Sequence, residues 1–113
     1  PNQKQLEPFY GDHRFDWSLR SNRLLHMVSP QAGKAPVQIN ADVNIYALEL
    51  EAGHSLEFPV EAGRQVYVVQ IEGAADVNGL TLTAKDALES VDESLLIKAS
   101  EKSHLVFLEM KKA

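Results

Sequence analysis

A chain of 113 residues is long enough to bury a hydrophobic core as one domain, without disulfides or a structural metal. It contains no cysteine, which excludes disulfides, thiolate nucleophiles and cysteine-ligated metal centres. No apolar stretch is long enough to span a bilayer and no signal-peptide pattern is present, so we expect no membrane partner and a cytoplasmic location. The start at Pro1, without methionine, is typical of a piece of a longer protein.

The net charge of −5 is unevenly distributed. Residues 1–36 carry five basic and three acidic side chains, whereas the remainder carries six basic and thirteen acidic ones. Phosphate contacts need concentrated lysine and arginine, so the acidic body argues against a nucleic acid as a direct partner.

Residues 1–22 predict an arm that is distinct from the rest of the chain. Residues 1–8 read as an extended linker because of their polar composition and two prolines. Four of the eight aromatic residues follow at once, and each ring can bury roughly 150–250 Å². We therefore expect the arm to pack on its own barrel or on a neighbouring domain through Phe9, Tyr10, Phe15 and Trp17.

Residues 23–113 predict a barrel of short strands. No segment shows a helical apolar period over three turns, and Asn78-Gly79 between two strand-like runs is a strong hairpin signal. This pattern predicts an all-β antiparallel sandwich or barrel. The predicted strands are residues 24–28, 37–39, 43–50, 55–60, 65–71, 74–77, 80–82, 87–91, 95–99 and 105–110.

The strand at residues 65–71 differs from the others in its hydrophobic pattern. It is apolar on both faces, as expected of an inner strand that is covered on both sides. In contrast, Glu49-Leu50-Glu51 alternates, as does a strand with one face in water.

From Ala52-Gly53 to Ala87 the chain resembles a cupin. The run Val68 to Gly73 is similar to the end of the first cupin motif, and Asn78-Gly79 begins a segment similar to the one that leads into the second. Across nearly the whole chain, the order and spacing of motifs resemble the C-terminal half of the pirin and quercetin 2,3-dioxygenase-like bicupins. The stretches that carry this resemblance are residues 1–15, 24–30, 42–53 and 86–94.

The resemblance implies an antiparallel double-stranded β-helix, the cupin or jelly-roll barrel. It also implies that a complete protein of this family holds one metal, iron or a related divalent ion, in its first cupin. Some members oxygenate flavonols such as quercetin, and others are described as nuclear or regulatory cofactors. The parent protein is thus a candidate metal-dependent oxygenase, although none of that chemistry is visible in these residues.

A cupin metal site needs an H-x-H pair, a glutamate a few residues later and another histidine from the second motif. Alternate residues of a strand share a face, so H-x-H places both imidazoles inside the barrel. Counting back from Gly73 places Val66 at the glutamate position. The two histidine windows, residues 58–62 and 94–97, contain no histidine. With this alignment we predict no metal, no cofactor and no catalytic residue in this segment.

Other candidate residues indicate little chemistry. The four histidines, His13, His26, His54 and His104, lack ligand spacing, so we expect surface or hydrogen-bonded roles. We expect Asp92 to cap its own backbone in a turn.

A pocket in the barrel mouth is a further possibility. Its candidate lining residues are Gln65, Tyr67 and Gln70, although a barrel of this size more often fills its interior with side chains.

Two functions remain open on these observations. In the first, the chain is a non-catalytic half that supports a metal-bearing N-terminal cupin of the same protein, with the aromatic arm as the joint. In the second, it is a stand-alone module that holds a small ligand or forms a homodimer. A barrel filled by Val66, Val68, Leu88 and Leu96 would argue against a ligand inside it. An enzymatic function would need a non-standard metal site.

Overall fold

A computed structural model describes the backbone of residues 9–10 and 13–14, and the backbone and side chains of residues 20–31 and 33–112. The regular elements in these ranges are strands. None of the described residues forms a helix of the length and hydrophobicity that crossing a membrane requires. In chain order the strands are β1 (Phe9–Tyr10), β2 (His13–Arg14), β3 (Leu25–Pro30), β4 (Val37–Ile39), β5 (Val43–Leu50), β6 (Ser55–Phe58), β7 (Arg64–Glu72), β8 (Ala74–Val77), β9 (Leu80–Thr83), β10 (Ala87–Val91), β11 (Leu95–Ala99) and β12 (Ser103–Lys111).

Two facing sheets form the barrel, which confirms the predicted all-β fold. One sheet has six strands in the order β10-β7-β12-β5-β3-β4, and the other has four in the order β6-β11-β8-β9. Neighbouring strands are antiparallel except for β3 and β4, which pair in parallel. The last strand, β12, lies inside the six-stranded sheet between β5 and β7. In the arm, β1 and β2 form a small ladder that the sequence pattern did not indicate.

The core lies between the two sheets and is built by strand alternation. Val66 and Val68 of β7 and Leu105 and Phe107 of β12 point inward and are almost completely buried. Phe107 stacks on Phe58 of the opposite sheet with ring centroids 4.7 Å apart. This contact joins the two layers through apolar surface, which is the main source of stability in such a fold.

The turns follow the predicted chemistry with one exception. Asn78 and Gly79 both have positive φ, 50° and 90°, as a type I′ turn requires. The prediction that Asp92 caps its own backbone is wrong. Its carboxylate instead accepts a hydrogen bond from the backbone N–H of Gly63 and pairs with Lys112, so it joins two loops that are distant in sequence.

Strand β7 is an interior strand, as predicted, but only one of its faces is buried. Val66, Val68 and Gln70 point into the barrel with no exposed surface. Tyr67 and Ile71 point outward and are 47% and 46% exposed. Among the described residues, the prediction that both faces of β7 are covered therefore holds for the inner face only.

Candidate functional site

The inward-facing positions of the windows that the cupin pattern assigns to metal ligands hold hydrocarbon side chains. Phe58 and Val60 occupy the H-x-H window and Val66 the glutamate position, and all three are buried in the core. In the window of the last histidine, Leu95 and Ile97 also point inward. These side chains have no lone pair to donate, so they do not fit a metal ion. Within residues 20–31 and 33–112, no group of three or more histidine, aspartate and glutamate side chains lies close enough to hold one.

Two of the histidines join hydrogen-bonded clusters. His26 stacks on Tyr46 at 4.3 Å between centroids, and its Nε2 lies 2.8 Å from Asn44 Oδ1. His54 lies in an exposed turn, and the side chain of His13 is outside the described part.

His104 bridges two carboxylates on the outer side of the barrel. Its Nε2 and Nδ1 lie 3.0 Å from Glu49 and from Glu72. Lys102 also contacts Glu49 at 3.0 Å, and the hydrogen bonds from Lys102 and His104 hold the pKa of Glu49 below its usual value.

Polar groups and aromatic rings meet at one mouth of the barrel, where β5 and β7 begin and β6 and β12 end. Strand alternation explains this, since Asn44, Arg64 and Glu109 continue the inward-facing rows of Tyr46, Val66 and Phe107 beyond the end of the core. They border a cavity of about 370 Å³. Its lining residues are Asn44, Tyr46, Phe58, Pro59, Glu61, Arg64 and Glu109.

Arg64 holds this mouth together through two bidentate contacts. Its Nε and Nη2 donate to the carboxylate of Glu109 at 2.6 and 2.9 Å. Its Nη1 and Nη2 donate to Asp42 at 2.9 and 3.1 Å. Asn44 Nδ2 donates to Glu109 at 2.9 Å. Planar guanidinium and carboxylate groups match in this geometry, so strands β5, β7 and β12 are tied at one point.

The electrostatics of the mouth follow from these contacts. The hydrogen bonds from Arg64 lower the pKa of Glu109 and of Asp42, and for Glu109 burial opposes this shift. The two carboxylates raise the pKa of Arg64 further above its usual value. Burial, reinforced by Glu109, raises the pKa of Tyr46. With Glu61 at the rim, the formal charge of the cluster is negative.

The predicted pocket residues lie elsewhere. Gln65 and Tyr67 are on the outer side of β7, opposite Val66 and Val68. Gln70 points inward but away from the mouth, and its Nε2 donates to the carbonyl of Glu72 at 2.8 Å. None of the three lines the mouth cavity, and their part in ligand binding stays a prediction. The mouth could have been predicted from charged residues at inward-facing positions near the ends of strands, such as Arg64.

The fold of this chain is similar to that of solved bacterial proteins. The chain superimposes over its whole length on YhhW of Escherichia coli, with a TM-score of 0.82 and 22% identity, and covers 47% of that chain. In the nickel(II) complex of the same protein, described as a bacterial pirin, the match covers 80% of this chain and 40% of that one at a TM-score of 0.74. This protein has the cupin fold of the pirins.

Sequence matches show the family to which this chain belongs. Residues 26–110 match the quercetinase C-terminal cupin domain, and the chain belongs to this family. A Pseudomonas aeruginosa protein provisionally named quercetin 2,3-dioxygenase is 31% identical over 112 residues, which are 97% of this chain and 48% of that protein. A pirin-like protein of Caulobacter vibrioides is 28% identical over 90% of this chain and 45% of its own length. The chain spans about half the length of the curated relatives it matches.

Proposed function

We propose that this chain is the metal-free, non-catalytic C-terminal cupin half of a pirin-like, quercetinase-like protein, and that it supports a metal-bearing N-terminal cupin. The observation that carries the proposal is the hydrocarbon filling of the barrel at Phe58, Val60 and Val66, where a cupin needs nitrogen and oxygen ligands. A core of this kind stabilises a fold and contains no site at which an activated oxygen could bind.

The N-terminal half is part of the proposal because the relatives are about twice as long as this chain. The metal of the parent protein, iron or a related divalent ion, and any oxygenation of a flavonol would belong to that half. The nickel(II) in the YhhW complex is in keeping with a metal in such proteins. The arm residues Phe9, Tyr10, Phe15 and Trp17 are proposed as the joint between the halves, and their side chains lie outside the described residues.

Metal analysis tests this assignment. We expect this chain, purified without chelators, to contain far less than one iron, nickel, copper, manganese or zinc ion per molecule. The full-length protein from the same cells is the control and should contain about one, because a preformed site with deprotonated ligands retains its ion through purification. Stoichiometric metal in this chain, released only on unfolding, would overturn the proposal. So would a coding sequence before Pro1 that encodes no H-x-H cupin.

A second candidate function, binding of a small ligand, is favoured by the cavity at the mouth. Its carboxylates outnumber its single guanidinium, and Tyr46 and Pro59 supply an apolar wall. A small organic cation with an apolar body fits this lining better than an anion does.

Titration followed by NMR tests the second candidate. We expect benzylammonium to shift the resonances of Tyr46 and Glu109 with a Kd of about 1 mM, and benzoate to have no such effect. Glu61→Gln should weaken binding, whereas Glu57→Gln, on the exposed side of β6, should not. Equal binding of the cation and the anion, or no saturable shift, would reject this function.

A further inference from the structure

His26 stands one layer behind the wall of the mouth cavity. It belongs to β3, where a bulge at Met27 shifts the register with β5 and leaves His26 opposite Tyr46. The imidazole lies against the Tyr46 ring, with centroids 4.3 Å apart and planes 19° from parallel. Tyr46 and Asn44 line the cavity, and His26 contacts both of them. Its side chain thus supports the lining from behind.

The hydrogen bonds of the mouth fix the direction in which His26 donates. An ionised carboxylate only accepts, so the amide nitrogen of Asn44 must face Glu109, to which it donates at 2.9 Å. The amide oxygen of Asn44 is then turned toward His26 Nε2, at 2.8 Å. Because that oxygen also only accepts, Nε2 carries a proton, and Nδ1 is the nitrogen that takes up a second one. A chain of donors therefore runs from His26 through Asn44 to Glu109.

His26 is the member of this network whose side-chain type ordinarily changes its charge between pH 5 and pH 8. The hydrogen bonds from Arg64 lower the pKa of Glu109 and of Asp42, so both carboxylates stay ionised in this range. Burial raises the pKa of Tyr46, so its phenol stays neutral. A change in the charge behind the cavity wall in this range therefore comes from the imidazole.

A second proton on His26 works against a cationic ligand. It places a positive charge behind Tyr46 and makes the imidazole a cation–π partner of that ring. A ligand ammonium in the cavity would lie roughly 8 Å from this charge, where an effective dielectric constant of about 40 corresponds to about a fivefold loss of affinity. On the other side of β3, strand β4 contributes no titratable side chain, and Glu61 at the rim adds a carboxylate.

We propose that His26 is a positioning residue of the mouth and makes the binding of an organic cation there depend on pH. The inference rests on the second candidate function, the binding of such a cation. Neutral His26 holds Tyr46 by stacking and Asn44 through its Nε2–H, and the carboxylates attract the ligand unopposed. Protonated His26 keeps both contacts but repels the ligand, so a proton and the cation compete for the protein.

NMR titration with benzylammonium at pH 5.5 and pH 8 tests the inference, because this probe is a cation at both. We expect wild type to bind about fourfold more weakly at pH 5.5. His26→Gln can still donate to Asn44 but does not titrate, so its affinity should be equal at the two pH values. It should bind no more tightly than wild type at pH 8, because Tyr46 loses its stacked neighbour. The control His54→Gln, in an exposed turn, should keep the pH dependence of wild type.

A second measurement does not depend on the folding of a variant. Proton binding and ligand binding are reciprocally linked, so saturating benzylammonium should move the titration midpoint of the His26 ring resonances to lower pH, by about 0.7 of a pH unit. The ring resonances of His104, on the outer side of the barrel, should titrate at the same pH with and without the ligand.

The outcomes separate this inference from the function on which it rests. Equal affinity of wild type at the two pH values, or a pH dependence that His26→Gln retains, would overturn the inference and leave the binding function intact. A His26 midpoint that the ligand does not move would have the same meaning. Absence of a saturable shift at both pH values would reject the inference together with the second candidate function.

Discussion

Replacement of Gly73 by alanine should lower the free energy of unfolding by about 3–5 kcal/mol, which is an exceptional effect for one methyl group. Gly73 has a φ of +85°, in the left-handed region that costs an L-residue about 1–2 kcal/mol. An added Cβ would also overlap the carbonyl oxygen of Lys102 and lie 2.9 Å from the Cα of Ser103. These are backbone atoms at the start of β12, so they cannot rotate away, and the strand itself must shift.

Gly53 provides a matched control for this substitution. It has the same φ of +85°, but an added Cβ would meet no atom within 4 Å. Gly53→Ala should therefore cost only the backbone strain of about 1–2 kcal/mol. Urea unfolding of both variants measures the difference. Equal losses in the two variants would show that β12 yields easily at Ser103, contrary to the close contact described.

Substitution of Arg64 by methionine should lower the free energy of unfolding by about 2 kcal/mol at neutral pH. Methionine keeps much of the aliphatic stem but removes every donor to Glu109, whose side chain is only 13% exposed. The carboxylate would then retain the hydrogen bond from Asn44 alone. The loss is smaller than for a fully buried ion pair because the mouth opens to solvent, which screens the charges.

The effect of Arg64→Met should depend on pH in a defined direction. In the folded protein Arg64 lowers the pKa of Glu109 and Asp42 below their unfolded values. The stability from these groups is therefore present above the unfolded pKa, near 4, and is lost as the pH falls through the folded pKa. The difference between wild type and variant should be full at pH 7 and shrink below about pH 4.

Unfolding curves at several pH values, with Lys112→Met as the control, check this prediction. Lys112 pairs with Asp92 on the open surface, where both side chains are well exposed, so its removal should change little. A loss for Arg64→Met that stays constant from pH 7 to pH 3 would mean that packing of the side chain, not charge pairing, stabilises the mouth.

The strands could be predicted from the sequence because their signals are local. Period-2 alternation located β5, β7 and β11 within one or two residues, and Asn78-Gly79 marked the turn between β8 and β9. The hydrocarbon residues at the cupin ligand positions were also readable, since alternation alone places Phe58, Val60 and Val66 on the inner side.

The mouth of the barrel could not be predicted in the same way. Arg64 and Glu109 are 45 residues apart in sequence, and Asn44 and Glu109 are 65 apart. Their contact depends on which strands become neighbours, and hydrophobic periodicity does not specify strand order. The contacts of Asp92 were not predicted for the same reason, since its partners Gly63 and Lys112 lie on other loops. Leu96 was a candidate to fill the barrel, but the register of β11 turns it outward.

The central place of β12 in its sheet has a consequence for biosynthesis. Strands β5 and β7 leave the ribosome well before the strand that separates them, so their facing edges stay unpaired until β12 has been synthesised. Unpaired edges and exposed apolar surface on a nascent chain invite aggregation, and sheets that depend on distant contacts form slowly. Loss of β12 would remove the middle of the sheet and leave two smaller sheets, β10-β7 and β5-β3-β4, with no ladder between them.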